Sequence, residues 1–177
     1  MSNQNESGLV FEKTRFSDNK MIQRTQSLLL ALVVIAMGVV ISSPIWEKSS
    51  AALNQKVVLT AKALEHTQGA TTVSSSAIYI AILAGLAALI AAFSLSQYKK
   101  RVLQMSLGAL NSAVLAGVLG ASFYNVFKEG IPLFEPENQG NYALGFYAGV
   151  FALLANMIAN RLIRRDEMLV RSADRMR

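Results

Sequence analysis

The stretch 142–177, YALGFYAGVFALLANMIAN followed by RLIRRDEMLVRSADRMR, decides the fold. From Tyr142 to Asn160 there is no charged residue, and from Arg161 onward arginines and acids crowd every helical turn. The first part has no polar face to offer water, so it reads as a membrane span. The second reads as a charged extension along or beyond the membrane surface.

Working outward from it, three more apolar segments have the length needed to cross a hydrocarbon core of ~30 Å. They are 27–46 (SLLLALVVIAMGVVISSPIW), 77–97 (AIYIAILAGLAALIAAFSLSQ) and 102–127, which begins VLQMSLGALN. Lys20 and Arg24 precede the first, and Trp46 closes it at an interface where its indole N–H would stay wet. A cleaved signal peptide is the rival reading of that segment, with Ser42 and Ser43 near a cleavage point. The span-length core and Pro44 favour an uncleaved anchor. The chain is 53% hydrophobic and only 16% charged, against about a quarter charged in a soluble domain. Its net charge of +6 sits mainly at the ends of apolar runs, which points to topology rather than nucleic acid.

Charge position also sets orientation. Thirteen basic residues flank the spans on the side of the two termini and the short linker 98–101, against Lys48, Lys56, Lys62 and Lys128 on the other. The positive-inside rule then predicts both termini in the cytoplasm. The expected fold is an all-α antiparallel bundle of four spans, with a flexible tail at 1–20 and a helical cytoplasmic extension at 161–177. Met21 is an alternative start. For the long loop 47–76, a small β-hairpin and a helix over Ala51–Leu64 fit about equally, and His66 reads as a solvated loop histidine.

Packing signals come from small residues. Gly108, Ser112, Ala116 and Gly120 recur every four residues in the third span, and Gly145 and Gly149 lead a similar series in the fourth. The candidate buried polar residues of the spans are Gln104, Asn111, Asn156 and Asn160. Interhelical hydrogen bonding is their expected role, with Gln104 and Asn156 at similar depth as the expected pair and Asn111 turning to Ser112 or a carbonyl. In the extension, Glu167–Arg171 and Arg171–Asp174 have the spacing of helical ion pairs, and Arg161, Arg164, Arg165 and Arg175 add cations for anionic headgroups or a docking partner.

Three stretches, Met21–Leu30 (MIQRTQSLLL), Tyr98–Asn111 (YKKRVLQMSLGALN) and Ala159–Arg177 (ANRLIRRDEMLVRSADRMR), together resemble a family of small four-span membrane proteins of Bacteroidota known only as a domain of unknown function. The resemblance covers about residues 21–177 and is most specific in the tail. It implies a bacterial inner membrane and four spans, and supplies no activity or ligand.

The chemistry the sequence excludes is informative. No span holds Asp, Glu, Lys, Arg or His, whereas ion-coupled carriers and proton pumps keep an ionisable group at membrane depth. With no cysteine and one histidine, neither thiolate nor imidazole sets for a metal can form, and no cofactor is expected. The expected function is therefore non-catalytic: an accessory or structural subunit of a larger membrane assembly or a homo-oligomer. The alternatives are a small transporter or lipid-binding protein using the Asn/Gln cluster, and, on a thinner basis, an enzyme built on Glu129, Glu135 and Glu137.

Overall fold

The computed structural model describes residues 25–97 and 100–175, with side chains described as far as 168. The N-terminal tail at 1–20 lies outside the described residues. Four helices are long and apolar enough to cross a membrane: α1 (Thr25–Ser42), α2 (Ile78–Ser96), α3 (Arg101–Asn125, its apolar stretch running on to Leu133) and α4 (Leu144–Arg175).

The fold is not purely helical. Five antiparallel strands, β1 (Trp46–Ser50), β2 (Gln55–Leu59), β3 (Ala63–Gln68), β4 (Thr71–Ser76) and β5 (Asn141–Tyr142), form a sheet in the order β4-β3-β2-β1-β5. The hairpin alternative for 47–76 was half of a four-stranded meander, and the helix over 51–64 is not formed. The first span also ends earlier than expected. Ser42 closes α1, and Trp46 opens a strand with its ring buried.

The bundle core follows one rule. Buried residues fall at Gln26, Leu30, Val33, Met37 and Val40 in α1, and at Ile80, Ala84, Ala87, Ala91 and Ser94 in α2. In α3 they are Gln104, Gly108, Asn111, Leu115, Val118, Ser122 and Asn125. In α4, Gly145, Gly149, Ala152, Asn156, Ala159, Ile163 and Asp166 continue the pattern. Each series alternates steps of four and three, a 3.5-residue period, which is the repeat of helices winding left-handed about one another. The buried positions of α1 are bulky, whereas those of α2 and α4 are rich in alanine and glycine. Gly149 lies between Leu119 of α3 and Val40 of α1, where a Cβ would come within 3.0 Å and 3.8 Å of their side chains.

The same rule corrects the four-residue ridge expected in α3. A step of four residues turns about 400°, so a strict i+4 series drifts by about 40° each time. Gly108 is buried and Ser112 half-buried, but Ala116 and Gly120 have rotated to the outside, and nothing lies within 4 Å of a Cβ on Gly120.

At the far end of the bundle α3 gives way to a π-helical turn (Val126–Gly130) and a 3-10 turn (Ile131–Leu133), and the sheet covers them. Trp46, Lys48 and Ser50 form the buried face of β1, with Glu47 and Ser49 outside. The Trp46 ring lies against Gly130 and Gly140, and its Nε1 donates to the Gln139 carbonyl at 3.0 Å. Gly140 has φ +67°, and a Cβ there would stand 2.7 Å from both the Glu47 carbonyl and the indole. Only glycine fits that turn.

Candidate functional site

Asn111, Ser112, Asn156 and Asn160 gather between α3 and α4, in the half of the bundle nearer the termini. The two helices keep an unbroken antiparallel register, in which Arg101 meets Asp166, Gly108 meets Asn160 and Asn111 meets Asn156. Asn156, fully buried, is the hub. Its Nδ2 donates to the Gly108 carbonyl and to Ser112 Oγ, both at 2.8 Å, and its Oδ1 accepts from Asn111 Nδ2 at 3.1 Å. Ser112 in turn donates to the Gly108 carbonyl at 3.1 Å. The expected partner of Asn156, Gln104, is buried two turns closer to the α3 start and does not join the group.

The displacement has a simple cause. Depth in α4 was measured from Arg161, but α4 packs against α3 for more than a turn beyond it. Measured from the Arg101–Asp166 pair, Asn111 and Asn156 are each ten residues in, about 15 Å by helix rise. They therefore meet.

Asn160 stands one turn nearer the rim. A Cβ on Gly108 would lie only 3.0 Å from its Cγ and 3.1 Å from its Oδ1, so glycine lets the amide rest on the α3 backbone. Its Oδ1 has no conventional donor and neither does Asn111 Oδ1. With Gln26 Nε2 and Ser94 Oγ also unpaired, this half of the core carries a surplus of hydrogen-bonding capacity.

The rim is locked by the ion pair. Arg101 and Asp166 approach to 3.0 Å, the Asp166 side chain only 4% exposed and the Arg101 side chain 26%. Sequence reasoning missed this pair, although Asp166 falls in step with the buried series Asn156, Ala159, Ile163. An acid in phase with a buried stripe was the signal. Arg161, Arg164 and Arg165 are exposed. Glu167 is half-buried, while the Arg171, Asp174 and Arg175 side chains lie outside the described residues. Arg161 and Arg164 line a groove of about 410 Å³ together with Asn160, Met157, Ser112 and Ala109.

A second polar centre lies under the sheet. Lys48, 1% exposed, donates from Nζ to the carbonyls of Ile131 (3.0 Å), Phe134 and Glu135 (3.0 Å), and sits 4.6 Å from the centre of the Phe134 ring. Three N–H donors thus meet three carbonyls, which clamps residues 131–135 to β1. Desolvation holds its pKa below the ordinary lysine value of 10.5, partly offset by the Glu135 carboxylate. Glu135 itself accepts from Ser50 Oγ at 2.8 Å. The alternation Trp46–Lys48–Ser50 could have announced it, but a lysine on an inner face is a rare reading. His66 is not a free loop residue either. It stacks on Phe134 at 5.9 Å, with Nε2 3.2 Å from Gln55 Oε1.

The three loop glutamates do not assemble. Glu135 is tied to Ser50, Glu129 lines a separate opening of about 390 Å³ beside His66 and Lys128, and Glu137 is exposed. Among the described residues no three His, Asp or Glu side chains converge as a metal set.

In comparison with known proteins, no curated protein matches the chain. One family does, over residues 22–176, which takes in all four helices, the sheet and the rim pair. The chain belongs to the family described as a domain of unknown function, DUF4293.

Proposed function

We propose that the protein is a non-catalytic accessory or structural subunit of a larger assembly in a bacterial inner membrane, with both termini cytoplasmic, and that it docks through the extension of α4. The supporting observation is the continuity of that helix past the Arg101–Asp166 pair. At 32 residues α4 is about 48 Å long, well beyond the ~30 Å of a hydrocarbon core. The pair pins it to α3 at the rim, so the nine residues from Glu167 to Arg175 project as a stiff arm of about 14 Å. A continuous helical arm suits a protein partner better than a diffuse headgroup layer.

The alternative, a small transporter or lipid-binding protein using the Asn/Gln cluster, draws less support. Asn111, Asn156 and Ser112 direct their hydrogen bonds to one another and to the Gly108 carbonyl.

Ending the chain after Asp166 tests the proposal. Gentle extraction of the full chain should bring companion membrane subunits with it, and the shortened chain should keep its helical content but lose them. Companions retained unchanged would sink the docking role. Orientation is tested separately on the cysteine-free background. Ser172→Cys should react with an impermeant thiol reagent only from the cytoplasm, and Thr72→Cys only from the opposite side.

A further inference from the structure

We propose that the groove between α3 and α4 at the termini end holds one anionic phospholipid, its phosphate on Arg161 and Arg164. The groove has two chemically different ends. Met157 is 54% exposed and, with the exposed Ala109, gives an apolar wall, while Arg161 and Arg164 supply two cations at the other end. Ser112 and Asn160 lie between them. On α4 the residues Met157, Asn160, Arg161 and Arg164 fall at i, i+3, i+4 and i+7, which places them on one face. From Met157 to Arg164 the groove rises about 10 Å, enough for a phosphate, the glycerol and the first carbons of an acyl chain.

Charge selects the occupant. Arg101, at the same rim, has Asp166 as its counter-ion. Among the described residues Arg161 and Arg164 form no ion pair, although both border the same cavity. Two guanidinium forks without a carboxylate match the oxygens of a phosphate. Basic pockets between membrane helices are where lipid headgroups bind. Inorganic phosphate could use the arginines but would leave the Ala109–Met157 wall bare, whereas a phospholipid satisfies both ends.

The full-length protein in a mild uncharged detergent, read by native mass spectrometry against phosphatidylglycerol, phosphatidylcholine and inorganic phosphate, tests this. Retained phosphatidylglycerol adducts at one equivalent are expected, with far fewer from phosphatidylcholine or phosphate. The Arg161→Gln/Arg164→Gln variant should lose about thirtyfold in retention, and Ala109→Trp, which fills the apolar end without changing charge, should lose it as well. Arg165→Gln, outside the groove, should retain lipid as the parent does. Circular dichroism checks that each variant keeps its helices. Undiminished retention in the double glutamine variant, or equal loss in Arg165→Gln, would overturn the site. Inorganic phosphate bound as tightly as phosphatidylglycerol would overturn the lipid as its occupant.

Discussion

Truncating Asn156 to alanine removes three hydrogen bonds at once: those to the Gly108 carbonyl, to Ser112 Oγ and from Asn111 Nδ2. Interhelical bonds among membrane helices contribute about 0.6 kcal/mol on average and up to about 1.7. The loss should therefore be about 2–3 kcal/mol. Asn111→Ala removes only one of the three, and Asn111 Oδ1 has no partner to lose, so about 1 kcal/mol is expected. The double variant should cost less than the two singles added, by roughly the value of the shared bond. Titration of the protein from mild detergent into a denaturing one provides the measurement, with helix content followed by circular dichroism. The single tryptophan, Trp46, reports the sheet end independently. Equal costs for the two single variants would refute the assignment of Asn156 as hub, and strict additivity would refute the bond between them.

The rim pair should respond unequally to its two deletions. Arg101→Gln leaves the almost fully buried Asp166 without a cation and should cost about 3–5 kcal/mol, whereas Asp166→Asn leaves the less buried partner, Arg101, and should cost about 1–3; denaturant titration of both variants checks the order. Gly140→Ala meets both a left-handed φ and the Trp46 ring, so it should destabilise by more than about 2 kcal/mol and shift Trp46 emission to the red. Lys48 sets a pH dependence. Because its folded pKa lies below 10.5, the unfolded chain holds the proton more firmly, and stability should rise as pH climbs from the folded value toward 10.5. Below that window the penalty is constant, and a Lys48→Met variant should lose this part of the slope in a pH series of unfolding curves.

How much of this the sequence discloses depends on the kind of information each element carries. A span is a length and a composition, so α2, α3 and α4 could be located to within a few residues. Pairing between spans is an offset, and no residue states it. Gln104 and Asn156 were matched by counting from Arg161, five residues short of where Asp166 fixes the true edge. The sheet was harder still. Strands announce themselves by alternation, yet β1 buries a lysine and a serine beside its tryptophan, and all six residues of β4 are exposed. The two-residue β5 lies 65 residues beyond β4, with nothing local to mark it. The polar cluster was legible as a set of residues but not as a network. Its wiring depends on Gly108, read as a packing residue, which also supplies the carbonyl that receives Asn156.

The strand order has a consequence for how the chain is made. β1 to β4 form a meander of hairpins completed by Ser76, before α2 has been synthesised. That part can assemble as soon as Ser76 has been made. The last edge must wait. Trp46 pairs with Tyr142 only after α3 has been inserted, and the same moment brings Gln139, Gly140 and the carbonyls of 131–135 to Trp46 and Lys48. The meander is thus a receptacle made early and filled late. Closing it joins the end of α1 to the start of α4, so the first and last helices are bound to each other by strand hydrogen bonds and not only by helix packing. A chain halted before residue 141 would carry the receptacle open, with one edge of β1 unpaired.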